Sequence, residues 1–367
     1  MKLTMARGEL LEALSVAGRG LSSRSTLPIL SGVLVSSTES GEIVFQATDL
    51  EISVRHIASG LVERAGTTVL PGKLLSDIVR SLPESAVTLD IANGTASIVC
   101  GQASFTVKTL SAEDFPRFPD IEADKTISIP TKVFSDLASH VLKATSRDET
   151  RPILTGVLIV IEGHTVRMVA TDSYRLSVKE ATLEVPAGED TEVVIPGKAL
   201  DEAVRMAAGR KKVDLGVTDN QIIFDFEDTT FITRRIEGAF PNYKQLLPKE
   251  YETTVVVAKD EFAAAVKRVS LLAQHNTPLR ISVSVDDQTL SLSATTQDVG
   301  DASEDLMAKV EGHDVEIAFN HGFLSDGIAC TTGDVMTVNI VSALKPGVLT
   351  ASGDEGFLYL LMPVRLG

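Results

Sequence analysis

The chain contains no tryptophan, and aromatic side chains of every kind make up only 5% of its 367 residues. A platform that stacks unpaired bases on successive aromatic rings is therefore not expected. Cysteine occurs twice, at Cys100 and Cys330, and neither has a Cys or His partner at metal-ligand spacing. That excludes a disulfide framework and a zinc finger, and it points to a reducing compartment. No apolar run approaches the roughly 18 residues needed to span a bilayer. The stretch from Met1 reaches Glu9 before an apolar leader forms. A cytoplasmic protein with no secretory signal and no membrane partner is expected. Positive charge is also short: 34 Lys and Arg stand against 50 Asp and Glu, a net charge of −16. By itself that argues against a partner held through its phosphates, because counterion release needs basic surface.

Catalytic and cofactor patterns are missing as well. The segment Gly66 to Leu74 has the look of a phosphate loop. Five residues separate Gly66 from Gly72, however, and Leu74 stands where Ser or Thr must reach magnesium. The six histidines form no H-E-x-x-H or H-x-H pair, so no metal and no cofactor are expected. One pair leaves a choice open. Asp49 and Asp172 each end an Ala-Thr-Asp triplet, Ala47-Thr48-Asp49 and Ala170-Thr171-Asp172. Their carboxylates either fix a turn at a strand end or hold a divalent cation for hydrolysis. The turn is favoured, since the matching triplet further on, Ala294-Thr295-Thr296, has no carboxylate.

What the chain does have is a long internal repeat. Pro28-Ile29-Leu30-Ser31-Gly32-Val33-Leu34 returns 124 residues later as Pro152-Ile153-Leu154-Thr155-Gly156-Val157-Leu158. Pro71-Gly72-Lys73-Leu74 returns as Pro196-Gly197-Lys198-Ala199, with a degenerate third copy at Asn320-His321-Gly322-Phe323. Phe115-Pro116 and Phe240-Pro241 lie 125 residues apart. A period of this length is far beyond the 20–50 residues of a solenoid unit and matches a whole small domain. Three tandem domains follow, at 1–122, 123–249 and 250–367, each large enough for its own core.

Within each copy an early segment carries apolar residues at helical spacing. They are Leu10, Ala13, Leu14 and Ala17, then Phe134, Leu137, Ala138 and Val141, then Phe262, Ala265, Val266 and Val269. Alternating Val, Ile and Thr segments follow and read as strands. A second helix opens at each Pro-Gly-Lys, and further strands close the copy. The fold class is α+β, two helices and antiparallel sheets per copy.

Charge is unevenly placed. Summed over the six expected helices (6–18, 72–82, 131–144, 197–212, 259–273 and 320–330) it is +4, leaving −20 elsewhere. Cationic helices on an anionic body suit a polyanion facing the helices. The ordinary tolerance of helices for Lys and Arg supplies such a bias too.

Taken together, several features resemble the β subunits of bacterial DNA polymerase III, the sliding clamps. They are the triplicated domain, Arg24-Ser25-Thr26-Leu27-Pro28-Ile29-Leu30, the Ala-Thr-Asp strand ends, Thr171 to Leu176, and the closing Tyr359-Leu360-Leu361-Met362-Pro363-Val364-Arg365-Leu366. The resemblance covers the whole chain. It implies a non-enzymatic homodimer, joined head to tail, whose six domains form a ring around double-stranded DNA regardless of sequence. A separate clamp loader would place it there. Its clients would be the DNA polymerase III catalytic subunit and other polymerases and repair proteins bearing a short Gln-Leu-Phe-type motif.

For that motif the resemblance implies a groove at Leu154, Thr171, Ser173, Tyr174, Arg175, Leu176, Pro241, Leu246, Leu360, Met362, Pro363, Val364 and Arg365. Leu, Met, Val and Pro form an apolar slot there, with Arg175 as a polar anchor. Ser173, Tyr174 and Gln245 differ from residues often found in the family. DNA would face Arg24, Lys73, Arg80, Arg147, Arg151, Lys198, Arg205, Arg210, Lys211 and Lys212. For ring closure the resemblance implies an edge strand with Phe105 and Val107 meeting Leu271, Leu272 and an acidic stretch that includes Glu304. Lys73 would pair with that stretch. A metal-dependent hydrolase built on Asp49 and Asp172, and a tandem-domain scaffold with no DNA role, are the alternatives.

Overall fold

In the computed structural model the described residues are 1–22, 27–119, 125–188, 190–273 and 277–365. Arg24, Leu366 and the expected domain boundary at 122/123 lie outside them. The first repeat opens with β1 (Lys2–Ala6) and α1 (Arg7–Ala17), then β2 (Gly32–Ser37), β3 (Glu42–Thr48), β4 (Ile52–Ser59), β5 (Leu61–Arg64) and β6 (Gly66–Pro71). It closes with α2 (Gly72–Ser81), β7 (Ala86–Ala92), β8 (Thr95–Cys100) and β9 (Ala103–Lys108). The second runs β10 (Lys125–Pro130), α3 (Thr131–Val141), β11 (Gly156–Glu162), β12 (Thr165–Thr171), β13 (Arg175–Thr182) and β14 (Thr191–Pro196). After α4 (Gly197–Ala207) come β15 (Lys212–Val217), β16 (Gln221–Asp225) and β17 (Thr229–Arg234). The third starts with β18 (Thr253–Ala258), α5 (Lys259–Val269), β19 (Leu279–Ser284), β20 (Thr289–Thr296) and β21 (Gly300–Met307). It continues through β22 (Lys309–Glu311), β23 (Val315–Phe319), α6 (His321–Cys330), β24 (Val335–Ile340), β25 (Gly347–Ala351) and β26 (Phe357–Leu361). The α+β reading holds in all three copies.

The early helices bury the residues the spacing picks out. Leu10, Ala13, Leu14 and Ala17 of α1 are buried, as are Phe134, Leu137, Ala138 and Val141 of α3 and Phe262, Ala265, Val266 and Val269 of α5. A strand runs straight into five of the six α-helices, and the extended residues before α1, α2 and α5, namely Ala6, Pro71 and Ala258, offer no side-chain cap. Asn320 does cap α6, its Oδ1 accepting from the Phe323 amide at 3.0 Å.

One expectation is corrected. The helix expected over 197–212 stops at Ala207, and Gly209 at φ +82° turns the chain out of it. Arg210, Lys211 and Lys212 therefore stand beyond the helix, and Lys143 lies in a 3₁₀ turn after α3. Counted over the α-helices themselves, the net charge falls from +4 to zero. The helices are not a cationic surface as such.

The chain packs as two compact units, Met1–Lys132 with Glu202–Arg235, and Val133–Asp201 with Ile236–Gly367. The division cuts the second repeat because sheets run across repeat boundaries. In the first unit one sheet has the order β10-β15-β16-β17-β4-β3-β2-β6, joining second-repeat strands to first-repeat strands through β17 and β4. In the second unit another has the order β14-β11-β12-β13-β26-β25-β24-β18-β22, joined through β13 and β26. The remaining sheets, β5-β1-β7-β8-β9 and β21-β20-β19-β23, each belong to one repeat.

Each seam carries a buried histidine. His56 on β4 lies 2.8 Å from the Thr229 hydroxyl on β17, and burial pushes its pKa below the usual value. At the other seam Asp354, in the turn before β26, is nearly inaccessible. It binds the Lys179 ammonium of β13, lies 3.0 Å from Nε2 of His140, and accepts from the Thr332 amide at 2.9 Å. Burial pushes the Asp354 carboxyl up, but His140, Lys179 and the Thr332 amide outweigh it and hold the group well below the ordinary carboxylate range.

A depressed carboxyl stabilises above the pH at which an unfolded Asp titrates, and that stabilisation is lost as pH falls through its lower, folded-state value. The stability gap between the native chain and Asp354→Asn, read by urea unfolding, is therefore expected to shrink as pH falls below about 4, where an unfolded Asp begins to hold its proton.

Candidate functional site

The Thr-Asp strand ends are turns. Asp172 Oδ1 accepts from the amides of Tyr174 (2.9 Å) and Arg175 (3.0 Å), while the Thr171 hydroxyl donates to the Arg175 carbonyl at 2.6 Å. Ser173 is thereby held at φ +79°, a left-handed conformation that non-glycine residues rarely adopt. The first repeat builds the same object. Asp49 Oδ1 accepts from Glu51 and Ile52 at 2.9 and 2.8 Å, Thr48 donates to the Ile52 carbonyl at 2.7 Å, and Leu50 sits at φ +79°. Both carboxylates are committed to backbone amides, which is the work of an Asx turn and not of a metal ligand. Among the described residues no three His, Cys, Asp or Glu groups gather at metal-binding distance.

Only the second turn leads into a site. Its Arg175 is 8% exposed, and three of the five guanidinium donors are engaged. Nε donates to Asp172 at 3.0 Å, and Nη1 donates to Asp326 at 2.5 Å and to the Tyr359 hydroxyl at 3.2 Å. The group lies 4.4 Å above the Phe323 ring. Burial opposes its charge, but Tyr359, Asp326 and Asp172 outweigh burial and move its pKa further up. Arg175 thus shapes the wall through Nε and Nη1, and it also lines the cavity described below.

The other expected groove residues divide by burial. Leu154, Thr171, Leu176 and Leu360 are buried. Leu176 and Leu360 share a core cluster with Leu158, Val160, Val169, Val194, Tyr243 and Val348. Pro363 is half-buried, while Ser173, Tyr174, Pro241, Leu246, Met362, Val364 and Arg365 are exposed. The C-terminal segment is tied at two points, the Met362 amide donating to the Tyr174 carbonyl at 2.9 Å and the Val364 amide to the Ala318 carbonyl at 2.8 Å. Exposed Tyr174, Leu246, Met362 and Val364 with buried Leu154, Leu176 and Leu360 give the mainly apolar composition that a peptide slot needs.

Beside it lies a cavity of about 720 Å³, lined by Tyr174, Arg175, Arg147 and Arg151 together with Asn320, Phe323 and Asp326. The last three escaped the sequence reading. Phe323 stacks on Tyr174 with ring centroids 6.3 Å apart and closes one wall. A signal was available: Phe323 occupies the place of Leu74 and Ala199 in the other copies, an aromatic ring where those have aliphatic residues.

The expected DNA-facing cations are unequal. Lys73, Arg147, Arg205 and Lys211 are exposed, and the Lys198 side chain is 95% exposed with Glu149 at 3.7 Å. Arg210 is paired to Asp228 at 2.6 Å, Lys212 to Asp214 at 2.7 Å and Arg80 to Asp77 at 3.3 Å. Arg151 binds Asp148 at 3.0 Å and Ser173 at 3.2 Å.

The expected interface residues are also sorted by the fold. Among the described residues β9 is hydrogen-bonded on one side only, to β8, and Phe105 on it is exposed. Val107, two residues further along and therefore on the same face of β9, is buried in the core of its own repeat. β21 is likewise bonded on one side, to β20. Leu271 is exposed, Leu272 is half-buried, and Glu304 is gripped by both Nε (2.9 Å) and Nη2 (2.5 Å) of Arg268.

Family models of the DNA polymerase III β subunit match this chain in three consecutive pieces. The N-terminal domain matches over 1–119, the central domain over 128–242 and the C-terminal domain over 244–365. The beta sliding clamp of Streptomyces coelicolor is 36% identical and that of Bacillus subtilis 30% identical, each over all of both chains. The crystal structure of the Bacillus subtilis DNA polymerase sliding clamp superimposes with a TM-score of 0.95 at 30% identity over 100% of both chains. That of a Pseudomonas aeruginosa sliding clamp bound to griselimycin gives 0.94 at 25% identity, again over 100% of both.

Asp172→Ala removes the acceptor for two amides and one partner of a buried guanidinium. It is expected to destabilise the second unit by about 3 kcal/mol, in the range for breaking a buried ion pair. Asp49→Ala, whose turn holds no buried arginine, should cost about 1–2 kcal/mol. Urea unfolding of the two variants checks the difference.

Proposed function

From the premise that the chain belongs to the DNA polymerase III β-subunit family, the sliding clamps, we propose that two copies close head to tail around duplex DNA and tether enzymes to it. The observation that carries this reading is the full-length match in three consecutive domains. It acts as a processivity factor and performs no chemistry of its own. In the cytoplasm its loading falls to a separate clamp loader.

The edges of β9 and β21 fit the closure. An unpaired strand edge invites another strand, and a second copy of this chain offers the complementary edge. Phe105 and Leu271 supply apolar contact at that joint. Glu304, already paired with Arg268, contributes little to Lys73 of a second copy, in keeping with the roughly 0–1 kcal/mol of surface ion pairs.

A ring holds DNA by topology, so strong binding is unnecessary. The exposed Lys73, Arg147, Lys198, Arg205 and Lys211 meet phosphates singly and without reading bases. The net charge of −16 keeps that contact weak. The slot beside Tyr174 receives the Leu and Phe anchors of a Gln-Leu-Phe-type segment from the polymerase III catalytic subunit or from other polymerases and repair proteins.

Loaded onto nicked circular DNA, the protein should remain bound through gel filtration, and linearising the circle should release it. Equal retention on both forms contradicts encirclement. Removing residues 362–366 should weaken a Gln-Leu-Phe peptide by at least about a hundredfold, leaving circle retention intact. Unchanged peptide affinity contradicts the slot.

A further inference from the structure

The slot and the seam between the second and third repeats share the same two strands. Arg175, at the start of β13, lies opposite Leu361 at the end of β26, and Met362 follows directly. The position of one strand along the other therefore decides whether Tyr174, Arg175, Leu360 and Met362 meet as a site. Apolar pattern does little to fix that position. β26 reads Phe-Leu-Tyr-Leu-Leu with four of its five residues buried, and β13 is buried at Arg175, Leu176, Ser177 and Lys179. Register is strongly set when a slip drives buried residues into water. Here a one-residue slip mostly exchanges one buried apolar side chain for another, the Tyr359 hydroxyl with its bonds to Arg175 and the Phe323 carbonyl being the exception on β26.

A polar cluster at the far end of the pair supplies what the pattern lacks. Lys179, opposite Phe357, binds the Asp354 carboxylate and donates to the Glu355 carbonyl at 3.0 Å. The Glu180 amide donates to the Gly356 carbonyl at 2.9 Å. His140 of α3 is fully buried, with Nδ1 2.7 Å from the Asp136 carbonyl and Nε2 3.0 Å from Asp354, and its own carbonyl accepts from Ser177 of β13 at 2.7 Å. The Asp136 carboxylate completes the set, 3.5 Å from His140 and 3.7 Å from Lys179. A slip of β26 draws Asp354 away from Lys179 and His140 and leaves them only the longer contacts to Asp136, and weakening the pairing of a buried charge is strongly disfavoured.

We propose that Asp354 is a positioning residue for the partner slot: its cluster with His140 and Lys179 pins the register of β13 against β26, and so brings Tyr174 and Met362 together. The proposal rests on the peptide-slot reading above for its functional consequence. Its structural half stands separately. Buried ion clusters are often replaceable by apolar residues without loss of stability, and that allows positioning to be separated from mere stabilisation.

The test compares the native chain with a triple variant, His140→Phe, Lys179→Met and Asp354→Leu, and with Asp354→Asn alone. Thermal unfolding, amide hydrogen exchange and affinity for a Gln-Leu-Phe peptide are read on each. The triple variant should fold and melt within a few degrees of the native chain. Its Met362 amide should exchange at least tenfold faster, the Val364 amide should be unchanged, and the peptide should bind at least tenfold more weakly. Asp354→Asn, which keeps an acceptor for Thr332, should fall between, and it decides the matter should the triple variant not fold. Native exchange at Met362 overturns the pin. Faster exchange with native affinity overturns the positioning role. Failure of the native chain to bind the peptide sinks the slot reading and its consequence here, leaving exchange alone to decide the pin.

Discussion

Main-chain hydrogen bonding across the repeat boundaries is the constraint on which this structure depends. A single repeat of this type ends in strands with open edges, and each open row of amides and carbonyls calls for a partner. The first and second repeats satisfy that demand through β4 and β17, the second and third through β13 and β26. Sheets of eight and nine strands result, and the middle repeat belongs to both. Open edges remain at the ends of all four sheets, β9 and β21 among them, and a further copy of the same chain is one source of strands to meet those two.

The candidate site follows from the second of these joints. Where β13 and β26 run together, the Asx turn at Thr171–Arg175 and the chain leaving β26 are brought side by side. The matching turn in the first repeat has the same hydrogen bonds and the same left-handed central residue. It lacks a counterpart to the buried Arg175, whose contacts with Asp326, Tyr359 and Phe323 come from the third repeat. Repetition supplied the turn, and the difference between repeats made a site of one copy.

Much of this was legible in the chain itself, for identifiable reasons. Helical spacing in α1, α3 and α5 is a local signal, written three times, and each copy corroborates the others. The turn role of Asp49 and Asp172 was legible because an Asp after Thr at a strand end has a short-range use. The end of α4 was misjudged, since Lys and Arg continue a helical composition while Gly209 alone breaks the geometry. The burial of Arg175 and Val107 was not legible, because how deep a side chain sits is settled by strands far away in sequence. Phe323 was overlooked because its importance lies in a stack with Tyr174, 149 residues earlier.

Charge plays a smaller part than its uneven distribution first implies. Several of the cations set aside for phosphate are held by carboxylates of their own chain, and the helices are neutral as a group. Shape and strand pairing carry the account, which stands or falls on whether two copies join through their free edges. The direct measurement is the mass in solution by light scattering, at micromolar concentration and moderate salt. Twice the 39.1 kDa of one chain is predicted for the native protein, and the single-chain mass once a proline replaces Thr106 in β9. A native protein that stays at the mass of one chain would contradict it.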